Sequence, residues 1–429
     1  MTNISFTQEA ATEQLFCPLL QVMRNHSLNN NTKANLVVVC FHGLVSCLGI
    51  LENALVLWVI GFRLRRRTVA SVWVLNLALS DFLATLTLPL FTFYFSSSHS
   101  WVLGTPLCKT QASIFFLNMF VSAFLLAAIS LDRWLLAAKP VWSQNHRSVA
   151  GAWKVCALGW LWAAVNTLPY FVFRSVTEKV DGRKLCYHDF ALYSTSRATL
   201  LRDCNVRQAG TAISKLLLAF LFPLMVIAGS YIQIYLTLRS RSRSRRQSVN
   251  KLTDTLLVST NNLTSGATKE PPTKKHPVIF LRTLTSGSLA KPPATFPPSA
   301  SQQANQSQLS QSFTKMVTFV IAAFVLCWAP YHIFCIIEVI AQYQIANTSL
   351  VEVGLPIATT FAFLNPVLNP ILYAFSCPNF CVRIRQSLVA VFDGLVEEGG
   401  GLLMAPVRSF KSPIRRRSRD AGPGTPGTT

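Results

Sequence analysis

Seven stretches of this chain are apolar over a length that suits a bilayer better than a globular core. They fall near 36–62, 69–95, 110–138, 149–173, 208–238, 313–342 and 350–376. Each is long enough to cross roughly 30 Å of hydrocarbon, which takes about 20 helical residues. Charges inside them are isolated residues such as Glu52, Asp81 and Lys215, without the polar stripe of a soluble amphipathic helix. Runs such as Leu216 to Ile227 are continuously apolar, whereas the strands of a membrane barrel alternate over about ten residues. The expected fold is an all-α membrane protein, a seven-transmembrane helix bundle over 36–376. Composition agrees, since only 13% of the 429 residues are charged, about half the share usual in soluble domains.

Seven crossings put the chain ends on opposite sides, and basic residues gather on the cytoplasmic one. The first loop holds Arg63, Arg65, Arg66 and Arg67, the segment 239–312 holds 11 Lys or Arg against Asp254 and Glu270, and the tail from Cys377 holds 8. These three regions share one side, so residues 1–35 face outward. There Asn3, Asn25 and Asn30 each begin an Asn-x-Ser/Thr acceptor for glycosylation. Residues 1–35 lack a basic leader and an apolar core, so the first span is expected to act as the insertion signal.

Most of the net charge of +22 is therefore topological. The run Arg239-Ser-Arg-Ser-Arg-Ser-Arg-Arg resembles RNA-associated sequence, but beside a span it reads as a basic cluster meeting anionic lipid. Nucleic acid is not an expected partner. The remainder of 239–312 is rich in Pro, Ser, Thr and Gln and is expected to form a long disordered third cytoplasmic loop. Within it Arg245-Arg246-Gln247-Ser248 fits either a basophilic kinase site or plain solvated charge. Residues 377–392 set Val382, Leu388, Val389 and Phe392 against Arg383 and Arg385, the pattern of an amphipathic helix on the inner membrane surface. Residues 393–429 are expected to be a disordered cytoplasmic tail. Eleven cysteines show no zinc spacing, and their odd number leaves at least one thiol free.

An ionisable group inside hydrocarbon costs a few kcal/mol, so each polar residue at depth is a functional candidate. In chain order these regions carry Glu52-Asn53, Leu77-Ala78-Leu79-Ser80-Asp81, Asp132-Arg133-Trp134, Trp160, Pro223, Phe324 with Cys327-Trp328-Ala329-Pro330, and Asn369-Pro370-Ile371-Leu372-Tyr373. Asp132 and Arg133 can pair with each other at rest, and freeing Arg133 would offer a five-donor fork to a partner protein. Pro330 and Pro370 each remove a backbone hydrogen bond and kink their helices. Tyr373, one turn beyond Pro370, can exchange hydrogen-bond partners between states.

Seven such motifs in this order resemble a rhodopsin-like, class A G-protein-coupled receptor over the whole membrane region, with Trp134 standing where tyrosine is more usual. Within that family His99-Ser100-Trp101, 113–120, 140–147, Pro169 to Arg174 and Ser214 to Phe220 are similar to the chemoattractant branch, and to its prostaglandin D₂ receptors in particular. The resemblance implies a plasma-membrane receptor whose partners are an inhibitory-type heterotrimeric G protein, receptor kinases and arrestin, and whose signalling is chemotactic. It implies a Cys108–Cys186 disulfide. Cys17 and Cys204, the other two extracellular cysteines, are candidates for a second bridge, and Cys377 and Cys381 for palmitoylation. Asp81, Asn118, Ser122, Asn365 and Asn369 correspond to a polar cluster that holds sodium in similar receptors, with a dry hydrogen-bond network as the alternative. No other cofactor is implied. The segment 239–312 is longer than in the similar receptors, Glu352 stands in place of tryptophan, and His188 in place of tyrosine makes a loop contact that is expected to be pH-sensitive.

Lys215 lies about two turns into the fifth span, below a loop carrying Arg174, and has no acidic residue within a turn in sequence. An ammonium buried there wants an anion, unless it snorkels to the headgroups. Phe115, Phe116, Tyr187 and Tyr331, with His188, Phe91, Leu355 and Pro356, are expected to enclose it as an aromatic pocket with one cationic end. Such a site suits a lipid carboxylate: chain burial contributes about 0.8 kcal/mol per CH₂, and a charge-assisted hydrogen bond fixes the head. Prostaglandin D₂ is the ligand implied. The alternative within the branch is a peptide or anaphylatoxin ending in a carboxylate. A transporter would show internal repeats and broken helices in matching halves, and an enzyme a nucleophile with its base or a metal cluster at depth. The sequence supplies none of these.

Overall fold

Seven helices in the computed structural model are long and apolar enough to cross a membrane: Leu36–Arg63, Val69–Ser96, Gly104–Ala138, Val149–Val172, Arg197–Ser244, Phe319–Ala341 and Leu350–Pro370. The structure describes residues 15–26, 32–64, 66–194, 196–264, 300–342 and 348–376. The expected seven-helix bundle is therefore observed. The expected amphipathic helix over 377–392, the tail 393–429, Cys377, Cys381, Asn3, Asn30 and the side chain of Tyr373 lie outside the described residues.

A short helix α1, Pro18–Asn25, precedes the spans. Pro18 opens it, where a missing N–H costs nothing, and Leu19, Leu20 and Met23 form its buried face. The sequence reading of 1–35 did not anticipate it. Asn25 ends it, exposed. The first span is α2, Thr32–Trp58, finished by a π-helical turn Val59–Arg63. The second is α3, Val69–Ser96, whose start is fixed by reciprocal bonds between Thr68 and Ser71, a capping box. The third is α4, Gly104–Ala138, followed by a cytoplasmic helix α5, Pro140–His146. The fourth is α6, Val149–Val172, capped by Ser148. At Gly159 it runs so close to α4 that a Cβ would collide with the Phe124 ring. The centre of the bundle is α3 and α4, the most buried spans, while α6 faces mostly outward.

The second outer loop is an antiparallel hairpin, β1 Arg174–Glu178 and β2 Lys184–His188, with Arg174 opposite His188 and Val176 opposite Cys186. Both expected disulfides are formed, Cys108–Cys186 tying this hairpin to α4 and Cys17–Cys204 tying α1 to the fifth span.

The fifth span runs as α7, Arg197–Lys215, a π-helical segment Leu216–Leu221 and α8, Phe222–Thr264. Pro223 lacks an N–H and its ring crowds the carbonyl four residues earlier, and a widened π turn directly before it relieves that clash. The sixth span is α9, Ala300–Ala341, with Pro330 inside. The seventh is broken into α10, Thr348–Ala362, and α11, Asn365–Ser376. Pro366 has no N–H to bond the carbonyl of Ala362 and its ring crowds that carbonyl, so the helix stops at Ala362 and restarts at Asn365 with the proline in its first turn.

Several boundaries differ from expectation. The third and fifth spans begin earlier than expected, at Gly104 and Arg197, as helices that rise beyond the apolar layer. The segment 239–312 was expected to be disordered throughout, yet α8 continues to Thr264 and α9 begins at Ala300. Neither 230–264 nor 300–329 contains Gly or Pro, so nothing in those stretches breaks a helix already nucleated in the membrane.

Candidate ligand pocket and switch

Beside the β1–β2 hairpin the helices line a partly open cavity. All ten residues picked from the sequence line it: Phe91, Phe115, Phe116, Arg174, Tyr187, His188, Lys215, Tyr331, Leu355 and Pro356. The hairpin register explains the loop contribution, since Arg174 and His188 face each other across the strands.

Lys215 ends α7 with 3% exposure, so it does not snorkel. Its ammonium lies 5.5 Å from the Phe116 ring centroid, 5.4 Å from Tyr170 and 5.5 Å from Tyr331. Those are cation–π distances, and its hydrogen-bond partner is a weak acceptor, Cys335 Sγ at 3.3 Å. Among the described residues no carboxylate lies within ion-pair reach of it. Arg174 donates from Nε to Cys186 Sγ at 3.4 Å, and burial lowers its pKa to about 10. His188, held between Phe116 and Phe190, has its pKa driven well below the usual 6.5 by burial, then by Arg174 and Lys215. That shift moves the expected pH sensitivity of the loop contact below the usual imidazole range.

The cavity is less one-sided than an aromatic box with a cationic end. Glu338 and Glu352 also line it, with Met23, Tyr94 and Gln111. Glu338 accepts from the Tyr187 hydroxyl, and its backbone carbonyl accepts from Gln208 Nε2 at 3.2 Å. Glu352 is paired with Lys179 and His26. Glu338 was legible, for it follows Tyr331 by two helical turns and so shares its face. The contacts of Met23 and His26 join parts of the chain too distant for any local pattern.

Below the cavity Asp81 is fully buried. Asn118 Nδ2 donates to its Oδ1 at 2.9 Å, Ser122 Oγ to the same oxygen at 3.3 Å, and Asn369 Nδ2 to its Oδ2 at 2.8 Å. Asn369 Nδ2 also reaches Asn365 Oδ1 at 3.2 Å. The five residues thus meet as a hydrogen-bonded network. Asn369 Oδ1 is buried without a partner, so an uncommitted oxygen beside the carboxylate is available to a small hard cation.

At the opposite end of the bundle Asp132, expected to pair with Arg133, accepts two hydrogen bonds from Arg147, which lies just beyond α5. Arg133 lines a second cavity with Ser130, Tyr231 and Val320. Between the two ends Trp328, 1% exposed, sits 6.2 Å from the Phe115 ring. It lies two residues before Pro330 in α9, and Pro370 lies inside α11.

The chain matches the 7 transmembrane receptor (rhodopsin family) over residues 52–373. It is 38% identical over 422 residues to prostaglandin D2 receptor 2 of Mus musculus, covering 96% of this chain and 90% of that one. To the Rattus norvegicus protein of the same name it is 38% identical over 395 residues, 91% of this chain and 81% of that one. To chemerin-like receptor 1 of Sus scrofa it is 30% identical over 365 residues, 84% and 81%. With its seven spans, paired outer disulfides and enclosed outer cavity, the chain belongs to the rhodopsin family of G-protein-coupled receptors, in the chemoattractant branch, and is a multi-pass membrane receptor and not an enzyme.

Proposed function

We propose that this receptor binds an anionic lipid mediator, prostaglandin D₂ foremost, and activates an inhibitory-type G protein in chemotactic signalling. The observation that carries the reading is the Lys215 ammonium, 3% exposed and ringed by Phe116, Tyr170 and Tyr331 with no carboxylate among the described residues to neutralise it. A buried charge is costly unless paired, and a carboxylate entering beside Arg174 supplies the missing partner. The two relatives named for prostaglandin D2 support the same ligand class. In this reading residues 1–35 are extracellular and glycosylated, the cytoplasmic face meets G protein, receptor kinases and arrestin, and Asp81 with Asn118, Ser122, Asn365 and Asn369 holds a sodium ion at rest.

A peptide ligand is the second reading, favoured by the relatives named as chemerin-like receptors and by the two carboxylates that line the cavity. Membranes bearing the receptor should bind labelled prostaglandin D₂ saturably and lower cyclic AMP on its addition. Failure to bind it, with saturable binding of a chemoattractant peptide, would overturn the lipid reading in favour of the second.

A further inference from the structure

The α10 wall of the cavity carries a carboxylate that recognition of a lipid acid does not call for. Glu352 lines the cavity with its side chain 6% exposed. Both of its oxygens are held: Lys179 Nζ, itself 3% exposed, lies 2.5 Å from Oε1, and His26 Nδ1 lies 2.8 Å from Oε2. Glu352 is among the lining residues while Lys179 and His26 are not. Of these three groups Glu352 alone borders the ligand space.

Three segments hold it there. Glu352 is fixed by α10, which packs against α9 so closely at Gly354 that a Cβ would strike the Phe334 ring. Lys179 follows β1 and is set by its backbone bond to Arg183 at 2.8 Å. His26 caps α1, a strap whose Leu19, Leu20 and Met23 pack on Leu185, Ala341 and Val351 and whose other end is tied down by Cys17–Cys204. The cations Lys215 and Arg174 belong to other elements, α7 and β1. A molecule spanning the cavity from Lys215 to α10 meets the cations of α7 and β1 at one end and Glu352 at the other, with Glu338, bound to the Tyr187 hydroxyl, on the α9 wall.

We propose that Glu352 sets the charge specificity of this pocket: it admits a lipid bearing one carboxylate, directs that lipid's uncharged end toward α10, and rejects a lipid bearing a carboxylate at each end. Like charges brought together in a desolvated site are strongly unfavourable, and discrimination of this kind depends on the repulsive element as much as on the attractive one. The inference rests on the lipid-carboxylate reading of the cavity and adds to it which acids are excluded. Glu352→Gln keeps the shape but removes the negative charge and leaves Lys179 unpaired, so that end of the cavity becomes cationic.

The test uses full-length receptor as wild type, Glu352→Gln, and the double variant Lys179→Met with Glu352→Gln. The double variant guards against failure to fold around a lone buried ammonium. The probes are arachidonic acid, its ω-carboxylated dicarboxylate analogue, and prostaglandin D₂, with affinity read by ligand-induced thermal stabilisation. Wild type should prefer the monoacid by about tenfold or more, the order set by like-charge repulsion. Glu352→Gln should reverse the preference or erase it, and the double variant should show none. No preference in wild type, or a wild-type preference retained in the double variant, overturns the proposal. Binding of arachidonic acid without prostaglandin D₂ would remove the named ligand and leave the charge rule standing. Stabilisation by neither monoacid would remove both.

Discussion

Arg147 forks onto both oxygens of Asp132, Nε to Oδ1 at 2.7 Å and Nη2 to Oδ2 at 2.8 Å. The pair joins the segment after α5 to the cytoplasmic end of α4, and the carboxylate is 10% exposed against 23% for the guanidinium. A bidentate bond to a partly buried charge is among the stronger kinds. It ties Asp132 to the segment that follows α5, while Arg133 lines the second cavity. If this pair stabilises the resting state, Arg147→Ala should raise agonist-independent nucleotide exchange about tenfold, the scale set by about 1.5 kcal/mol for a hydrogen bond to a charge. Arg133→Ala should abolish exchange while agonist binding persists. Basal activity unchanged in Arg147→Ala would reduce the pair to a scaffold contact.

The cation at the end of α7 gives a second expectation. Lys215→Ala should weaken prostaglandin D₂ binding by about 1.5 to 3 kcal/mol, the range for hydrogen bonds to charged groups. The methyl ester of the ligand should lose a similar amount on wild type and little more on the variant, because both changes delete one interaction. Additive losses in this double-mutant cycle would place Lys215 outside the head-group contact, and undiminished affinity would leave Arg174 as the anchor.

Sodium offers a third. Asp81 with the uncommitted Asn369 Oδ1 forms an oxygen-bearing site linking α3, α4 and α11. Raising sodium at constant ionic strength should lower agonist affinity in wild type, since an ion bound preferentially at rest shifts the equilibrium away from the active form. Asp81→Asn should remove that dependence. Equal sodium sensitivity in the two proteins would mean that the network is dry.

Much of this was legible from the chain itself, for physical reasons that also explain the gaps. The spans are set by apolar runs that depend on no tertiary contact, and the cavity's aromatic rings and its cations Lys215 and Arg174 stand out because such groups have few other uses there, whereas Leu355 and Pro356 carry no such signal. Asp132 meets Arg147, 15 positions further along the chain, and no local pattern signals that contact. The α1 strap escaped notice, being eight residues long and dependent for its burial on α10 and β2. His26 and Glu352 are 326 positions apart, and no local pattern signals such a meeting. The helical ends of the segment 239–312 are hidden in its overall composition, because the helix-breaking residues all lie between Gly266 and Pro298.

His188 supplies a pH dependence whose sign can be worked out. Burial, Arg174 and Lys215 place its folded-state pKa well below 6.5, while the unfolded chain titrates near 6.5. Between those values the unfolded state binds the extra proton, so stability rises with pH. The contribution is fully present above about 6.5 and is lost as pH falls from there toward the folded-state value. His99, also lowered by burial and by Arg183, adds a term of the same sign. The apparent melting temperature of purified receptor should therefore fall as pH drops below about 6.5. His188→Phe, which keeps a ring between Phe116 and Phe190, should flatten that fall and leave the smaller share from His99. Ligand affinity should change little in wild type between neutral pH and 6.5, because the imidazole stays neutral in the folded receptor. An identical pH slope in wild type and His188→Phe would show that His188 is not the group being titrated.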